Sequence, residues 1–148
     1  MKIYMDACCL NRPFDDLSQE RVMLESDAVL AILDRCKLGN WQLIGSNVVD
    51  IELRRIKNTE KLKRVQSLYS AVSKKLKMDA KSKQRAAEFQ SHGIKVFDSY
   101  HLAVAETNGL DALLTTDDAF LKNAKKLSLN ITVENPVSWF MEVLRNER

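Results

Sequence analysis

The sequence lacks the features that mark membrane, secreted and low-complexity proteins. Among its 148 residues, 45% of them hydrophobic, there is no apolar run long enough to cross a bilayer. The N-terminus leads directly into a predicted strand without a signal-peptide pattern, so we expect a cytoplasmic protein with no membrane partner. Internal repeats and linkers are also lacking. One domain, residues 1–148, is therefore predicted.

Cysteine is scarce and wrongly spaced for a disulfide framework or a zinc site. The three cysteines are Cys8, Cys9 and Cys36, and no two of them form a C-x-x-C pair. A chain of this length buries enough apolar surface to fold without such crosslinks. We therefore expect three buried, reduced thiols.

The charge excess is small but unevenly distributed. The net charge is +3, and twelve basic residues stand against two acidic ones in the segment 54–85. These are Arg54, Arg55, Lys57, Lys61, Lys63, Arg64, Lys74, Lys75, Lys77, Lys81, Lys83 and Arg85. A solvated helical surface and a track for a nucleic-acid backbone both fit this pattern.

Hydrophobic periodicity alternates between strands and helices along the chain. Strands are predicted at 3–5, 41–44, 94–97, 112–115 and 131–133. Helices are predicted at 18–38, 46–56, 59–76, 79–92, 98–108, 117–127 and from 136. Short, wholly apolar strands between helices indicate an α/β three-layer sandwich whose parallel sheet is covered on both faces. The consecutive helices between 46 and 92 suggest a protruding arm.

Acidic residues follow several of the predicted strands. Asp6 follows the first strand, Asp98 the third, and Asp117 with Asp118 the fourth. Because the carboxyl ends of parallel strands meet at one edge of a sheet, we expect these side chains to gather there. Helix capping is an alternative role for Asp98 and Asp117, since aspartate is a preferred N-cap residue. No helix is predicted directly after Asp6.

Glu52 is the least expected of the acidic residues. It lies on the apolar face of its predicted helix, one turn from Val48 and Ile56. A carboxylate on such a face needs a partner or a cation. Glu25 meets the same criterion on helix 18–38, so the criterion does not by itself identify a functional site.

Several ionised carboxylates in one pocket raise one another's pKa unless a cation compensates them. An all-oxygen site suits Mg²⁺ or Mn²⁺, which is usually held by few carboxylates together with substrate phosphates. The carboxylates therefore predict phosphate chemistry.

At these residues the sequence resembles the PIN-domain family of metal-dependent nucleases. The matching pieces are IYMDACCL, SNVVDIEL, KVFDSYHLAVAE and ALLTTDDAF, which contain Asp6, Glu52, Asp98 and Asp117. The resemblance implies a five-stranded parallel sheet in the order 3-2-1-4-5, with these four acids as a catalytic quartet holding Mg²⁺ or Mn²⁺. It also implies endonucleolytic hydrolysis, usually of RNA, by metal-activated water.

Further candidate residues lie near the quartet and in the basic segment. The resemblance implies Thr116, whereas Asn11 and Arg12 belong to the loop CCLNRPFDD, which is not the generic family sequence. Residues expected beside the quartet are Thr116, Asp118 and Asn11. Residues expected to contact nucleic acid are Arg12, Arg54, Arg55 and Lys57. The family often has Asn, Ser or Thr two residues after the first acid, where this chain has Cys8, a poor hydrogen-bonding group.

Two alternatives stay open within the resemblance. One is the toxin of a toxin–antitoxin pair, with the same chemistry and a small inhibitory antitoxin as its partner. The other is a non-catalytic module that binds RNA or protein. Homodimerisation is also implied by the family. A receiver-like domain is disfavoured because a single acid follows the first strand, and a histidine hydrolase because no G-x-S-x-G motif accompanies His101.

Overall fold

A computed structural model describes residues 1–147 as five strands and eight α-helices. The strands are β1 (Lys2–Met5), β2 (Gln42–Ser46), β3 (Val72–Leu76), β4 (Ala112–Leu114) and β5 (Thr132–Glu134). The helices are α1 (Ala7–Asn11), α2 (Glu20–Lys37), α3 (Asn47–Leu53), α4 (Thr59–Tyr69), α5 (Ala80–Ser91), α6 (Val96–Thr107), α7 (Asp118–Ala124) and α8 (Pro136–Asn146). A short 3-10 helix, Arg12–Phe14, follows α1. None of the helices in the described part of the chain is long and apolar enough to span a membrane.

The five strands form one parallel sheet in the order β3-β2-β1-β4-β5, which confirms the predicted fold class and strand order. The central strand is β1, where Tyr4 lies opposite Ile44 of β2 and Leu113 of β4. Its residues Ile3 and Tyr4 are fully buried, as expected for a strand covered by helices on both faces. The carboxyl ends of β1, β2 and β4 therefore open onto the same edge of the sheet.

The third strand is not the one predicted. Residues 94–97 form the link into α6, whereas β3 is Val72–Leu76. The amide of Ile94 donates to the carbonyl of Phe89, and Gly93 adopts a positive φ of 90°, so the chain closes α5 and turns directly into α6. In the predicted order 3-2-1-4-5 a strand here would pair with β2, and that edge of β2 is already paired with Val72–Leu76.

The single helix predicted at 59–76 is also wrong. Helix α4 ends at Tyr69, and the chain then pairs with β2, placing Lys74 opposite Ile44 and Leu76 opposite Ser46. Pairing with a neighbouring strand overrides the helical preference of the lysines. The same pairing excludes the protruding arm predicted between 46 and 92, because residues 72–76 complete the sheet and α4 contributes buried Val65 to the core.

Strand β2 passes so close to Tyr69 that residue 45 has no room for a side chain. A Cβ atom on Gly45 would lie 2.1 Å from the Tyr69 hydroxyl oxygen. We expect Gly45→Ala to lower the free energy of unfolding by about 1–3 kcal/mol, as overpacked sites do, measured by urea denaturation. In a Tyr69→Ala background the same substitution should cost much less. Equal stability of Gly45→Ala and the wild type would contradict this packing.

Candidate active site

Asp6 occupies the end of the central strand and begins a helix. Its Oδ1 atom accepts the amide of Cys9 at 3.1 Å, so Asp6 is the N-cap of α1 and not, as predicted, the start of a loop. The side chain is only 3% exposed. Burial raises the pKa of the Asp6 carboxyl, while hydrogen bonds from the Thr115 side chain and the Cys9 amide favour the ionised form.

Asp117 follows β4 and is the N-cap of α7. Its Oδ1 atom accepts the amides of Ala119 at 3.0 Å and Phe120 at 3.2 Å. Its own amide donates to the Thr115 hydroxyl at 3.1 Å. The capping alternative is therefore confirmed for Asp117, and the cap fixes its carboxylate at the carboxyl edge of the sheet.

Asp98 lies in the first turn of α6 and does not cap it. The N-cap position belongs to Lys95, which makes no side-chain capping bond, so the capping alternative is wrong for Asp98. Burial raises the pKa of Asp98 to about 6, and the negative charges of Asp6 and Asp117 add to the shift, with a smaller contribution from Glu52. The four acids therefore lie close enough to repel one another.

Glu52 is held from behind by a histidine. It projects from α3, is about a quarter exposed, and bonds through Oε1 to Nε2 of His101. The imidazole is fully buried, and its Nδ1 atom lies 2.5 Å from the hydroxyl of Tyr4. Sequence reasoning missed this pair, although His101 lies one helical turn after Asp98 on α6.

The sequence matches a known family over most of the chain. Residues 3–126 match the PIN domain, a region that runs from β1 through α7 and contains all four acids. The chain belongs to the PIN-domain family. No curated protein matches its sequence.

A solved structure supports the fold of this PIN domain. It is the crystal structure of VapBC2 from Rickettsia felis bound to a DNA fragment from their promoter. The TM-score is 0.61 with 16% sequence identity, and the match covers 91% of this chain and 98% of the other. At that identity the likeness is one of fold.

Cys8 of the PIN domain lies among the acids. The pKa of its thiol is raised by desolvation and by the negative charges of Asp6, Asp117, Glu52 and Asp98. The residue is nonetheless exposed, so the prediction of three buried thiols is wrong for Cys8. It is also wrong for half-buried Cys36 and holds for Cys9.

The reactivity of the Cys8 thiol should depend on the negative charge of the site. Because a thiolate is the reactive form, we expect iodoacetamide to modify Cys8 slowly at pH 8 and faster in the Asp98→Asn variant, which removes one repelling charge. Peptide mass spectrometry would follow the rates, with Cys36 as the internal control. Identical Cys8 rates in the two proteins would contradict the charge coupling.

A cleft of about 340 Å³ opens beside Asp117. Its lining residues are Cys8, Asn11, Arg12, Asp15, Lys61, Thr116 and Asp117. The Oδ1 atom of Asn11 is buried without a hydrogen-bond partner among residues 1–147. Asn11 and Thr116 thus lie beside Asp117 in the wall of this cleft, and their roles in the site stay predictions.

Glu25, the acid that sequence reasoning set beside Glu52, has a structural role. It is 2% exposed and accepts from Nε of Arg12 at 2.8 Å and from Nε of Arg21 at 3.3 Å. Asn135, the N-cap of α8, donates to Oε2 of Glu25, the oxygen that also accepts from Arg21. We call Glu25 and the three residues that donate to it, Arg12, Arg21 and Asn135, the buried ion cluster, after buried Glu25; the Arg21 side chain itself is 52% exposed. It ties the 3-10 helix to α2 and α8 behind the site.

The buried ion cluster also fixes Asp118. Arg21 donates to both carboxylate oxygens of Asp118, each at 2.7 Å, and these bonds lower the pKa of Asp118. Arg12 likewise pairs with Asp15 as well as with Glu25. The charges of Asp118 and Arg12 are therefore compensated within the protein.

The other predicted nucleic-acid contacts, Arg54, Arg55 and Lys57, are exposed in the link between α3 and α4. None of the three forms an ion pair with another residue of the 1–147 range. The guanidinium of Arg55 lies 4.4 Å from the ring centroid of Phe97, the residue before Asp98. Unpaired positive charge is thus available close to the acids.

The acids do not form a closed metal cage. Among residues 1–147, no three His, Cys, Asp or Glu side chains converge closely enough to hold a metal ion. An open, all-oxygen donor set with uncompensated negative charge still fits Mg²⁺, because this ion keeps several waters and needs only one or two carboxylates besides substrate phosphates.

Proposed function

We propose that this PIN domain is a Mg²⁺- or Mn²⁺-dependent endoribonuclease that hydrolyses phosphodiester bonds. The observation that carries the proposal is Asp98, whose pKa is raised to about 6 by burial and by the charges of Asp6 and Asp117. Repulsion of this kind destabilises an empty site and favours a cation. Family membership supports nuclease chemistry at these residues.

Different local contacts hold the four carboxylates in place. Amides at helix N-termini hold Asp6 and Asp117, His101 holds Glu52, and Asp98 lies in the first turn of α6. When bound, the ion supplies the positive charge that activates water and stabilises the charge developing on the phosphate. The carboxylates bind and orient the ion, and no covalent protein intermediate is required.

The proposed substrate is single-stranded or looped RNA in the cytoplasm. Unpaired strands can be splayed so that a phosphate reaches a recessed site, whereas a regular duplex cannot. Exposed Arg54, Arg55 and Lys57 would contact the phosphate backbone beside the acids, and Asn11 and Thr116 would line the approach. Arg12 lines the cleft beside Asp117 and would contact the RNA there.

The decisive experiment incubates purified protein with structured RNAs, single-stranded RNAs and matching DNA, in Mg²⁺, Mn²⁺ or EDTA. The test variant is Asp6→Asn/Asp98→Asn. The matched control is Asp27→Asn/Asp34→Asn, which removes two exposed carboxylates from α2. We expect metal-dependent cutting of RNA by the wild type and the control only. Folded protein that cuts nothing in either metal would favour a non-catalytic RNA- or protein-binding module.

We also propose that an antitoxin regulates this nuclease, as in a toxin–antitoxin pair. The support is the shared fold with a chain of VapBC2, which was solved as an assembly. Expression of the chain alone should arrest growth, and co-expression of a small protein encoded beside its gene should relieve the arrest. Growth arrest that also occurs with Asp6→Asn/Asp98→Asn would contradict a toxic nuclease. Homodimerisation stays a prediction that sedimentation analysis can test.

A further inference from the structure

Behind Glu52 runs a line of hydrogen bonds that reaches the central strand. His101 Nε2 bonds Glu52 Oε1, and His101 Nδ1 lies 2.5 Å from the Tyr4 hydroxyl. That hydroxyl lies 2.6 Å from Oγ of Ser46, which also accepts the amide of Val49 at 3.2 Å. We call Ser46, Tyr4, His101 and Glu52 the buried hydrogen-bond chain. Except for Glu52, its members are fully buried.

One direction of donation satisfies every member of the buried hydrogen-bond chain. Ser46 donates its hydroxyl proton to Tyr4, and Tyr4 donates its own to Nδ1 of His101. Nε2 then carries the remaining ring proton and donates it to the Glu52 carboxylate. Buried polar groups left without partners are costly, so this consistent direction is strongly favoured.

The buried hydrogen-bond chain acts on α3 at two points. Ser46 is the N-cap of α3, so the oxygen that receives the Val49 amide also belongs to the chain. At the other end, His101 holds one oxygen of Glu52, a long side chain with several rotamers near the end of a seven-residue helix. The other oxygen is not committed to a hydrogen bond within residues 1–147.

We propose that His101 is a positioning residue that presents Glu52 to the ion, and that Tyr4 fixes the imidazole for this task. This inference rests on the proposed nuclease function. Hydrogen-bonding partners behind metal ligands orient them and tune their basicity, and their loss costs about 10–100-fold in metal affinity or activity. His101 therefore contributes without touching the ion or the RNA.

The test compares variants that alter the buried hydrogen-bond chain at different points. His101→Leu removes both ring nitrogens, whereas His101→Gln restores a donor to Glu52. Tyr4→Phe removes only the hydroxyl behind the imidazole and leaves Glu52 untouched. The matched control is Tyr69→Phe, because the Tyr69 hydroxyl also bonds Ser46, through its backbone, but has no link to His101.

Mn²⁺ affinity, measured by electron paramagnetic resonance, gives a readout separate from cleavage. We expect His101→Leu to weaken binding about 10–100-fold, with partial rescue by His101→Gln. Tyr4→Phe should weaken it by less, and Tyr69→Phe should leave it unchanged. Equal losses in Tyr4→Phe and Tyr69→Phe would show a merely structural effect and overturn the inference. Thermal melts establish that each variant is folded.

A nitrogen-15 spectrum at fixed pH separates failure of this inference from failure of the proposed function. The chain has two histidines, and His92→Gln leaves the signals of His101 alone. We expect a proton on Nε2 and none on Nδ1, a state lost in Tyr4→Phe. A proton on Nδ1 in the wild type would overturn the inference even in an active nuclease. The expected tautomer in a protein without Mn²⁺ binding or cleavage would refute the nuclease proposal instead.

Discussion

The Asp98→Asn variant is expected to cleave RNA at least about a hundredfold more slowly than the wild type. Loss of residues that only hydrogen-bond to metal ligands already costs up to that factor, and Asp98 is proposed as a ligand itself. Cleavage rates at saturating Mg²⁺, with Asp27→Asn as the exposed control, would measure the loss. Asparagine keeps the shape of the side chain but has no negative charge for the ion. Retention of near wild-type cleavage would remove Asp98 from the proposed site.

The same substitution should stabilise the protein when metal is absent. Because Asp98 is held in its charged form against burial and repulsion, Asp98→Asn is expected to raise the free energy of unfolding at pH 8 by about 1 kcal/mol after allowance for partial solvent screening. Saturating Mg²⁺ should reverse the order, since only the wild type gains full binding energy. Thermal melts in EDTA and in Mg²⁺ give both values.

The pH dependence follows from the direction of the Asp98 shift. The folded-state pKa is about 6, above the unfolded value, so the folded state binds more protons between them. The stability contributed by the neutral carboxyl is complete below about pH 4 and is lost as the pH rises through about 6. The advantage of metal-free Asp98→Asn should therefore emerge across that interval. An advantage that is constant from pH 4 to 8 would contradict the shift.

Glu25→Ala is expected to have the largest effect on stability. Removing one partner of a buried ion pair typically costs about 3–5 kcal/mol, because the remaining charge is left buried and uncompensated. Here the cost should lie at the lower end of that range, about 3 kcal/mol, because Arg12 is 22% exposed and keeps Asp15, while Arg21 keeps Asp118. Urea denaturation measures the cost, with Glu20→Ala, at an exposed position of α2, as the matched control.

A second variant tests whether the charge of Glu25 or its shape matters. Glu25→Gln keeps an acceptor for Arg12 but lacks the charge, so its cost should lie between those of the wild type and Glu25→Ala. If both Glu25 variants are as stable as Glu20→Ala, the buried ion cluster does not stabilise the fold.

The elements with strong local signals were predictable. Helix α2 carries apolar residues at helical spacing and ends before Gly39, whose positive φ of 85° suits the position after a helix. Ser46 and Asp117 cap helices as their residue types favour. In these cases the sequence near an element decides its structure.

The predictions were wrong where contacts with residues distant in the sequence determine the local structure. Residues 72–76 become a strand because β2 offers them a free edge, and residues 94–97 cannot take that place because 72–76 already fill it. His101 gives no local sign of its role, since Tyr4 and Glu52 reach it from elements far apart in the chain. Glu25 and Glu52 are alike in sequence pattern, and only their partners, two arginines or one histidine, distinguish them.

The position of β3 at the edge of the sheet affects the tendency of this protein to aggregate. The sheet has two outer strands, and such strands invite edge-to-edge aggregation. Exposed Lys74 and Lys75 put charge on β3, and β5 is only three residues long, both of which discourage this pairing. Part of the basic charge in the segment 54–85 thus favours solubility, whether or not RNA ever reaches it.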